Sequence, residues 1–302
     1  MTTPLERWRE RFTATPYVQR IGAEVVELAS DRAMLRLPFR EENTNPPGKA
    51  LHGGVNASLI AFAGALAAEA ELDPEVEYEA GIVDLSVVYL AAAVGEEVRA
   101  EGRVLRRGRE IVFAEGRVTN ASGRLLAQGL VTYRAVPRDV AERAAVADPP
   151  PGWIDTASFV TTPYDPSPMG RSLGRAPFMG SILSIDHMAG GRAILSMEAK
   201  PELLDAAGSH HAGALAALLD SAGAMASWSL VPLGLHKAMT PGIQIAYVAP
   251  SHGERVVALA RNLGKHAETF SNRVELVGAE SGRLIAHGLL TYRIVVGEKL
   301  PS

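Results

Sequence analysis

The sequence predicts an α+β chain made of two units of one domain type, each an antiparallel sheet wrapped around a central buried helix. Three observations carry this. First, "GRLLAQGLVTYR" (123–134) and "GRLIAHGLLTYR" (282–293) agree at nine of twelve positions and lie 159 residues apart. The same offset sets His52 on His211, Gly54 on Gly213 and Gly64 on Gly223. Second, each unit holds one long run of small apolar residues behind a histidine, "HGGVNASLIAFAGALA" (52–67) and "HAGALAALLDSAGAMA" (211–226). Third, a series of strand-like segments with polar turns follows each run. A unit of about 130 residues is too long for a solenoid repeat and suits a duplicated domain. The expected boundaries are 1–136 for the N-terminal unit, 137–175 for a connector and 176–302 for the C-terminal unit.

Each element has a local reason. "GAEVVELASDRAMLRLPF" (22–39) alternates and turns at Ser30-Asp31, as a hairpin does. "FMGSILSIDHMAGGRAILSM" (178–197) shares its pattern, with Arg192-Ala193 set against Arg32-Ala33. The helix that follows carries no charge from Gly54 to Ala68. It is therefore expected inside the domain rather than amphipathic on its surface. After it, "AGIVDLSVVYLAAAV", "EEVRAEGRVLRRG", "EIVFAEGRVTNA" and "RLLAQGLVTYRAV" read as strands, and residues 253–295 repeat the series. The triple proline at 149–151 and scattered Pro, Gly and Ser mark 137–175 as a connector with one short helix at 138–147.

Composition narrows the function classes. Hydrophobic residues at 47% and charged residues at 21% fall in the ordinary soluble range, so disorder is not expected. A net charge of −4 and a pI near 6.1 argue against a nucleic-acid-binding surface. No cysteine occurs, which excludes disulfides, thiolate metal sites and a Cys nucleophile. No glycine-rich phosphate loop, dinucleotide fingerprint or His–carboxylate metal spacing stands out, so no metal and no resident cofactor is expected. "MTTPLERWRERFTATP" lacks the apolar core of a signal peptide. The run from Val55 to Ala68 falls short of the ~20 residues that a membrane helix needs. The expectation is a soluble cytoplasmic protein with neither membrane nor nucleic-acid partners.

A histidine-glycine-glycine opening a small-residue helix, followed by "VDLSVVYL" and "GRLLAQG", resembles the hotdog fold. More narrowly it resembles acyl-CoA thioesterases of the phenylacetate-degradation type. The resemblance covers both halves and leaves out only the tail and the connector; its motifs are short, but their order and spacing occur twice. It implies a five- or six-stranded sheet around a central helix, with two units paired into one continuous sheet. In this chain that pair is a tandem, or double, hotdog. It also implies hydrolysis of acyl-CoA thioesters, with coenzyme A entering as part of the substrate, and a possible homodimer of double-hotdog chains.

The resemblance places a catalytic Asp or Glu nine residues after the motif histidine. That position is Asp220 in the second unit and Ala61 in the first. It places a Ser or Thr seven residues before the strand tyrosine, which gives Thr240 counting from Tyr247 and Ile82 counting from Tyr89. An Asn or Gln that contacts the thioester carbonyl lies near Asn45, here one residue farther from the histidine than usual.

Helix geometry shows how the halves must cooperate. Nine residues separate His211 from Asp220, ~13.5 Å along a helix. The amides at that helix's own start and the carboxylate therefore cannot act on one thioester carbon. A centre using both needs a second, antiparallel helix whose N-terminus reaches Asp220, and His52-Gly53-Gly54 offers one. Glycines there let backbone approach a ligand closely. Free N–H groups and the positive helix end stabilise an oxyanion. The i±3 and i±4 neighbours of Asp220 (Ala216, Ala217, Gly223 and Ala224) offer no partner, and a lone buried charge is costly unless compensated. Its role is general base toward water or nucleophile through an anhydride; the sequence leaves both open.

The expected catalytic site joins Asp220 and Thr240 to Asn45, His52 and Gly54, with Gly53 beside the substrate. The opposite crossed site would set His210, His211 and Gly213 against Ala61 and Ile82, and is expected to be inactive or to bind apolar substrate or nothing. Arg106, Arg107 and Lys265 occupy matching turns and could meet coenzyme A phosphates, although solvated hairpins are the commoner fate of such residues. Simpler readings exist throughout: a cross-core Asp220, a strand-starting Thr240, a turn-forming Asn45, a capping His52. Trp228, Phe62 and Met225 either line a pocket or fill the core. The rival function is a non-catalytic acyl-CoA-binding or regulatory module. A hydratase of the same fold is disfavoured, because its pattern places Asp and His five apart on the helix and position 225 is Met.

Overall fold

The computed structural model describes residues 3–45, 49–143, 176–232 and 236–297. Two helices come first that the repeat did not announce: α1 (Pro4–Ala14) and α2 (Pro16–Ile21). Their signal was nonetheless present. Thr3 and Glu6 form a reciprocal capping box, the Thr3 hydroxyl accepting from the Glu6 amide at 3.2 Å, with Pro4 in the first helical turn. The hairpin β1 (Glu24–Ala29) and β2 (Arg32–Leu37) turns where Ser30-Asp31 places it. A two-stranded ribbon, β3 (Thr44–Asn45) and β4 (Ala50–Leu51), leads into α3 (Gly53–Glu69). Four strands follow: β5 (Tyr78–Tyr89), β6 (Val98–Arg107), β7 (Ile111–Asn120) and β8 (Leu125–Pro137).

A short helix α4 (Arg138–Arg143) begins the expected connector, most of which lies outside the described residues. The second unit then repeats the series with α5 (Met179–Ile182), β9 (Ser184–Ala189), β10 (Arg192–Met197) and the central helix α6 (Ala212–Trp228). It finishes with β11 (Lys237–Tyr247), β12 (Val256–His266), β13 (Thr269–Gly278) and β14 (Leu284–Val295). Among the described residues no helix is long and apolar enough to cross a membrane.

All the long strands join one 12-stranded antiparallel sheet in the order β1-β2-β6-β7-β8-β5-β11-β14-β13-β12-β10-β9. The second half of that order is the first half in reverse. The two units meet where β5 pairs with β11, with Ser86 opposite Gln244, Leu85 opposite Ile245 and Val87 opposite Ile243. Tyr89 pairs with Ala127 and Tyr247 with Ala286, so the two tyrosines are equivalent and Ser86 is the equivalent of Gln244. The local two-fold therefore passes through the Ser86–Gln244 pair, as in an isologous dimer interface made within one chain. This is the tandem hotdog that the resemblance implied.

The sheet closes over α3 and α6, which are buried around almost their whole circumference. In α3 the side chains of Val55, Leu59, Ile60, Phe62 and Leu66 are all buried. Each fully buried Leu, Ile or Phe contributes roughly 1.5–3 kcal/mol. Small residues let the sheet approach closely. On β6, a Cβ at Gly102 would lie 2.0 Å from the Ala63 carbonyl oxygen, a backbone atom that cannot move aside. Gly102→Ala is therefore expected to destabilise the fold by about 1–3 kcal/mol, the usual cost of overpacking, read as a lowered midpoint in thermal or urea unfolding.

Candidate active site

The central helices cross where both are thinnest. A Cβ at Gly54 would sit 2.5 Å from the Ala217 Cβ, and one at Gly213 would sit 2.7 Å from the Ser58 hydroxyl. Advancing along α3 thus means retreating along α6, so the helices are antiparallel and each lays its N-terminus on the other's flank.

Asp220 lies on that flank, in the middle of α6, and is 4% exposed. Its Oδ1 accepts a hydrogen bond from the Thr240 hydroxyl at 2.7 Å. Thr240 stands in a bulge of β11, where the register jumps from Met239–Arg293 to Gly242–Thr291. Pro241 has no N–H to keep the ladder, and the bulge aims the threonine inward at α6. The other carboxylate oxygen faces the first unit: a Cβ at Gly53 would lie 2.7 Å from Asp220 Oδ2. Only glycine leaves room there. In the second unit the equivalent of Gly53 is Ala212, whose opposing residue is Ala61 rather than an acid.

Burial pushes the Asp220 carboxyl up to about 6, although the Thr240 hydroxyl and the Gly54 amide both draw it down. His52 Nδ1 comes within 4.0 Å of Asp220 Oδ2, close enough to suggest an ion pair. Hydrogen bonding argues otherwise. Nδ1 accepts from the Gly54 amide at 2.9 Å and so carries no proton, and burial pulls His52 down to about 4. At neutral pH the ring is an uncharged N-cap for α3, packed on Phe178 with ring centres 4.7 Å apart.

The cap also decides which amide of α3 is free. Val55 and Asn56 donate to the His52 carbonyl at 3.0 and 3.2 Å, and Gly54 donates to the His52 ring. Among the described residues the Gly53 amide has no hydrogen-bond partner. The unoccupied donor is thus Gly53, one residue before the position expected from the sequence, because the histidine takes the next amide for itself. The Gly53 carbonyl accepts from the Tyr89 hydroxyl at 3.1 Å, which anchors this turn to β5. Burial and the nearby Asp220 charge raise the Tyr89 phenol well above its ordinary value. The sequence used Tyr89 only as a counting mark; its equivalence to Tyr247, which binds the Ala212 carbonyl at 2.8 Å, was the available signal.

The opposite crossing is filled. His211 caps α6 through the Gly213 amide at 3.0 Å, and Tyr17 and Phe62 close on its ring with centres 5.3 and 5.1 Å away. Ser58 donates toward the carbonyls of Gly54 and Gly213, at 2.8 and 3.1 Å, and pairs with the Tyr17 hydroxyl at 3.0 Å. His210 is turned away, its ring set between Ser251 Oγ at 3.0 Å and the Glu198 carbonyl at 3.2 Å. Ala61 and Ile82 supply no titratable group there.

Other expected site residues are not gathered at Asp220. Asn45 lies half-buried in β3 opposite Ala50, and no hydrogen bond links its side chain to Asp220, Thr240 or His52 among the described residues. Arg107 donates to the Ala68 carbonyl at 2.8 Å and pairs with Glu71, holding the C-terminus of α3. That end is ~21 Å along the helix from Gly54. Arg106 is exposed beside it, and Lys265 sits at the end of β12 with its ammonium 5.5 Å from the Phe270 ring. Among the described residues no cluster of three or more His, Asp or Glu side chains could hold a metal ion.

Comparison with known proteins adds the following. A family model described as "Thioesterase superfamily" matches residues 48–127, and one described as "Domain of unknown function (DUF4442)" matches residues 171–279. Acyl-coenzyme A thioesterase 13 of Mus musculus is 30% identical over 133 residues, covering 43% of this chain and 92% of its own length. A protein of Halobacterium salinarum provisionally named an esterase is 42% identical over 97 residues, 32% of this chain and 64% of that relative. Among solved structures, a conserved protein of unknown function with a hot dog fold from Alicyclobacillus acidocaldarius aligns with a TM-score of 0.60 at 15% identity, covering 100% of both chains. At that identity the likeness concerns the fold alone.

The buried carboxylate has a stability consequence. A carboxyl raised from 3.8 in the unfolded chain to about 6 holds its proton more tightly when folded. Folding is therefore favoured below the unfolded value, and this advantage is lost as pH rises from about 4 to about 6. Asn at this position does not titrate. Asp220→Asn is expected to be the more stable protein at pH 8, by on the order of 2–3 kcal/mol, with the gap shrinking toward pH 4. Urea unfolding of both proteins across that range checks it.

Proposed function

Because the chain belongs to the thioesterase superfamily, we propose that it hydrolyses acyl-CoA thioesters at a single composite site per chain. One observation carries this: the Asp220 carboxylate of the second unit lies against the Gly53-Gly54 turn of the first, and the equivalent place across the two-fold has Ala61. In this reading the thioester carbonyl sits on the free Gly53 amide at the positive end of α3. Asp220 takes a proton from water as the water oxygen bonds to the carbonyl carbon. The tetrahedral oxyanion then collapses, the C–S bond breaks, and coenzyme A leaves as thiolate to be reprotonated, with the free acid as the other product. Thr240 fixes the carboxylate and stands where it can also orient the water. Gly54 and His52 hold the helix start in shape, His52 as a neutral cap rather than a base. The spacing of Asp220 nine residues after the motif histidine supports assignment to the phenylacetate-degradation type. Direct attack by Asp220 through an anhydride is the other route; if water then opens the anhydride at the Asp220 carbonyl, heavy-oxygen water under single turnover leaves label in the Asp220 carboxylate.

The decisive measurement is turnover of an acyl-CoA panel by wild type, Asp220→Asn and Thr240→Val. Loss of the carboxylate is expected to lower kcat by about 10²–10⁴, the typical contribution of a positioned acid–base group, with less loss for Thr240→Val. The wild-type rate is expected to fall below a pH near 6, where the carboxylate takes up its proton. Unchanged turnover in Asp220→Asn removes this site from the reaction. Tight acyl-CoA binding with no turnover by wild type supports the binding-module alternative instead.

A further inference from the structure

The outer face of the sheet, turned away from α3 and α6, is nearly free of charge where the two units meet. Side chains on neighbouring antiparallel strands line up there in rows. The row through the local two-fold runs Glu115, Leu130, Ser86, Gln244, Leu289, Arg273, from β7 across to β13. Leu130 and Leu289 are equivalent, and they stand 53% and 52% exposed. In the row on one side Val88, 54% exposed, lies opposite Gly242; in the row on the other Asp84 lies opposite Ala246. Over these three rows of β8, β5, β11 and β14, Asp84 is the single carboxylate, and no Lys or Arg occurs. The free face of an antiparallel sheet is ordinarily polar. Half-exposed leucines on a face depleted of charge mark a contact surface.

The flanks of that row say what fits it. Glu115 and Arg273 occupy equivalent places, opposite Leu130 and Leu289, so the two-fold kept by the backbone is broken by a reversal of charge. Gln128 donates to Glu115 without neutralising it, and Arg273 pairs with Glu275 while its side chain stays 46% exposed. A second copy laid face to face has two ways to match this row. Turned about an axis across the strands, it sets Glu115 on Glu115 and Arg273 on Arg273. Turned about an axis along the strands, it sets Glu115 on Arg273 at both ends and Leu130 on Leu289 at both places between. Apolar matching is equal in the two, because the leucines are equivalent. Charge selects the second.

In that pose Val88 of each copy meets the bare Gly242 of the other. A depression of about 340 Å³, lined by Ala246, Gln244, Leu289 and His287 among others, lies open toward Leu130 of the partner subunit. The two Asp84 carboxylates approach each other across the axis, each beside His287 of the partner subunit, whose ring offers an N–H. Aligned sheets pack about 10 Å apart with their strands within about 30°. Glu115 and Arg273 lie about 12 Å from the axis, so such a rotation moves them by about 6 Å, which an arginine side chain spans. One strand farther out Arg103 and Arg261 are both basic, and there the sheet bends away around the helices. A partner of one sign would be attracted by one flank and repelled by the other.

We propose that this face docks a second copy of the chain, turned about the strand direction, with Glu115 of each copy on Arg273 of the other. The contact is isologous, and it stands apart from the thioester chemistry.

The test is sedimentation velocity of the full chain at about 1–100 μM, with wild type, Glu115→Arg, Arg273→Glu, the double variant carrying both exchanges, and Leu289→Lys. Wild type is expected to sediment with twice the 32.0 kDa of one chain. Either single exchange sets like charges together at two places and is expected to raise the dimer Kd at least about tenfold. The double variant restores both pairs with their signs reversed and is expected to return to within about threefold of wild type. Leu289→Lys places an unpaired ammonium in the contact and is expected to leave single chains. These side chains face solvent in one chain, so the fold is expected to persist, which circular dichroism checks. Wild type that stays a single chain at the highest concentration overturns the proposal, as does a dimer that neither the exchanges nor Leu289→Lys weakens. Weakening by the single exchanges with no recovery in the double variant overturns the Glu115–Arg273 pairing and the rotation with it.

Discussion

The arrangement depends on the close antiparallel contact of two helices that carry almost no side chains where they meet. Gly54 against Ala217 and Gly213 against Ser58 bring backbone to within van der Waals reach on both sides of the two-fold. Any larger residue would push the helices apart, and the carboxylate of Asp220 would then lose its place beside Gly53. The surrounding sheet is shaped to permit this closeness, with Gly102, Gly116 and Gly129 letting strands approach α3. Packing here is not merely filling; it sets the distance between a helix's positive end and an acid from another part of the chain.

Joining the two units in one polypeptide removes the constraint that a homodimer imposes. In a symmetric pair every residue of one site also appears in the other. Here the seam through Ser86 and Gln244 keeps the two-fold, while the crossings on either side have diverged. One keeps Asp220 and Thr240 against a glycine turn. The other has become core, with Tyr17, Phe62 and Ser58 packed around the His211 cap. Burying an uncompensated carboxylate costs stability, so a chain that confines the acid to one crossing bears that cost once. The filled crossing gains apolar burial and a clasp of hydroxyls between the helices.

The chemistry of the retained crossing is set by competition for donors. His52 is held neutral by burial and spends Nδ1 on the Gly54 amide, so it neither pairs with Asp220 nor shares its proton. That choice frees the preceding amide. The acid in turn is held by one hydroxyl and by proximity to the helix end, which together keep it from rising further than about 6. A group poised there is ionised at neutral pH yet remains basic, the compromise that acid–base catalysis rewards.

The sequence by itself determined the duplication, the succession of strand segments along each unit and the burial of both central helices, while the order of the strands in the sheet came from the tertiary structure. Each of the first three rests on short-range periodicity or on direct repetition, which are written in the chain. It also determined that Asp220 and the glycine pair must come from different helices, because ~13.5 Å of helix separates Asp220 from its own N-terminus. The capping box at Thr3 is as local as these features, although it belongs to no repeat. Which amide stays free, the neutral state of His52, the plugging of the second crossing by Tyr17 and the placing of Arg107 at the far end of α3 were decided only by tertiary structure. The His52 cap joins residues only two apart, but the burial that keeps its ring neutral, like the packing of Tyr17 on His211 and the bond from Arg107 to Ala68, depends on neighbours tens to hundreds of residues away that no local pattern records.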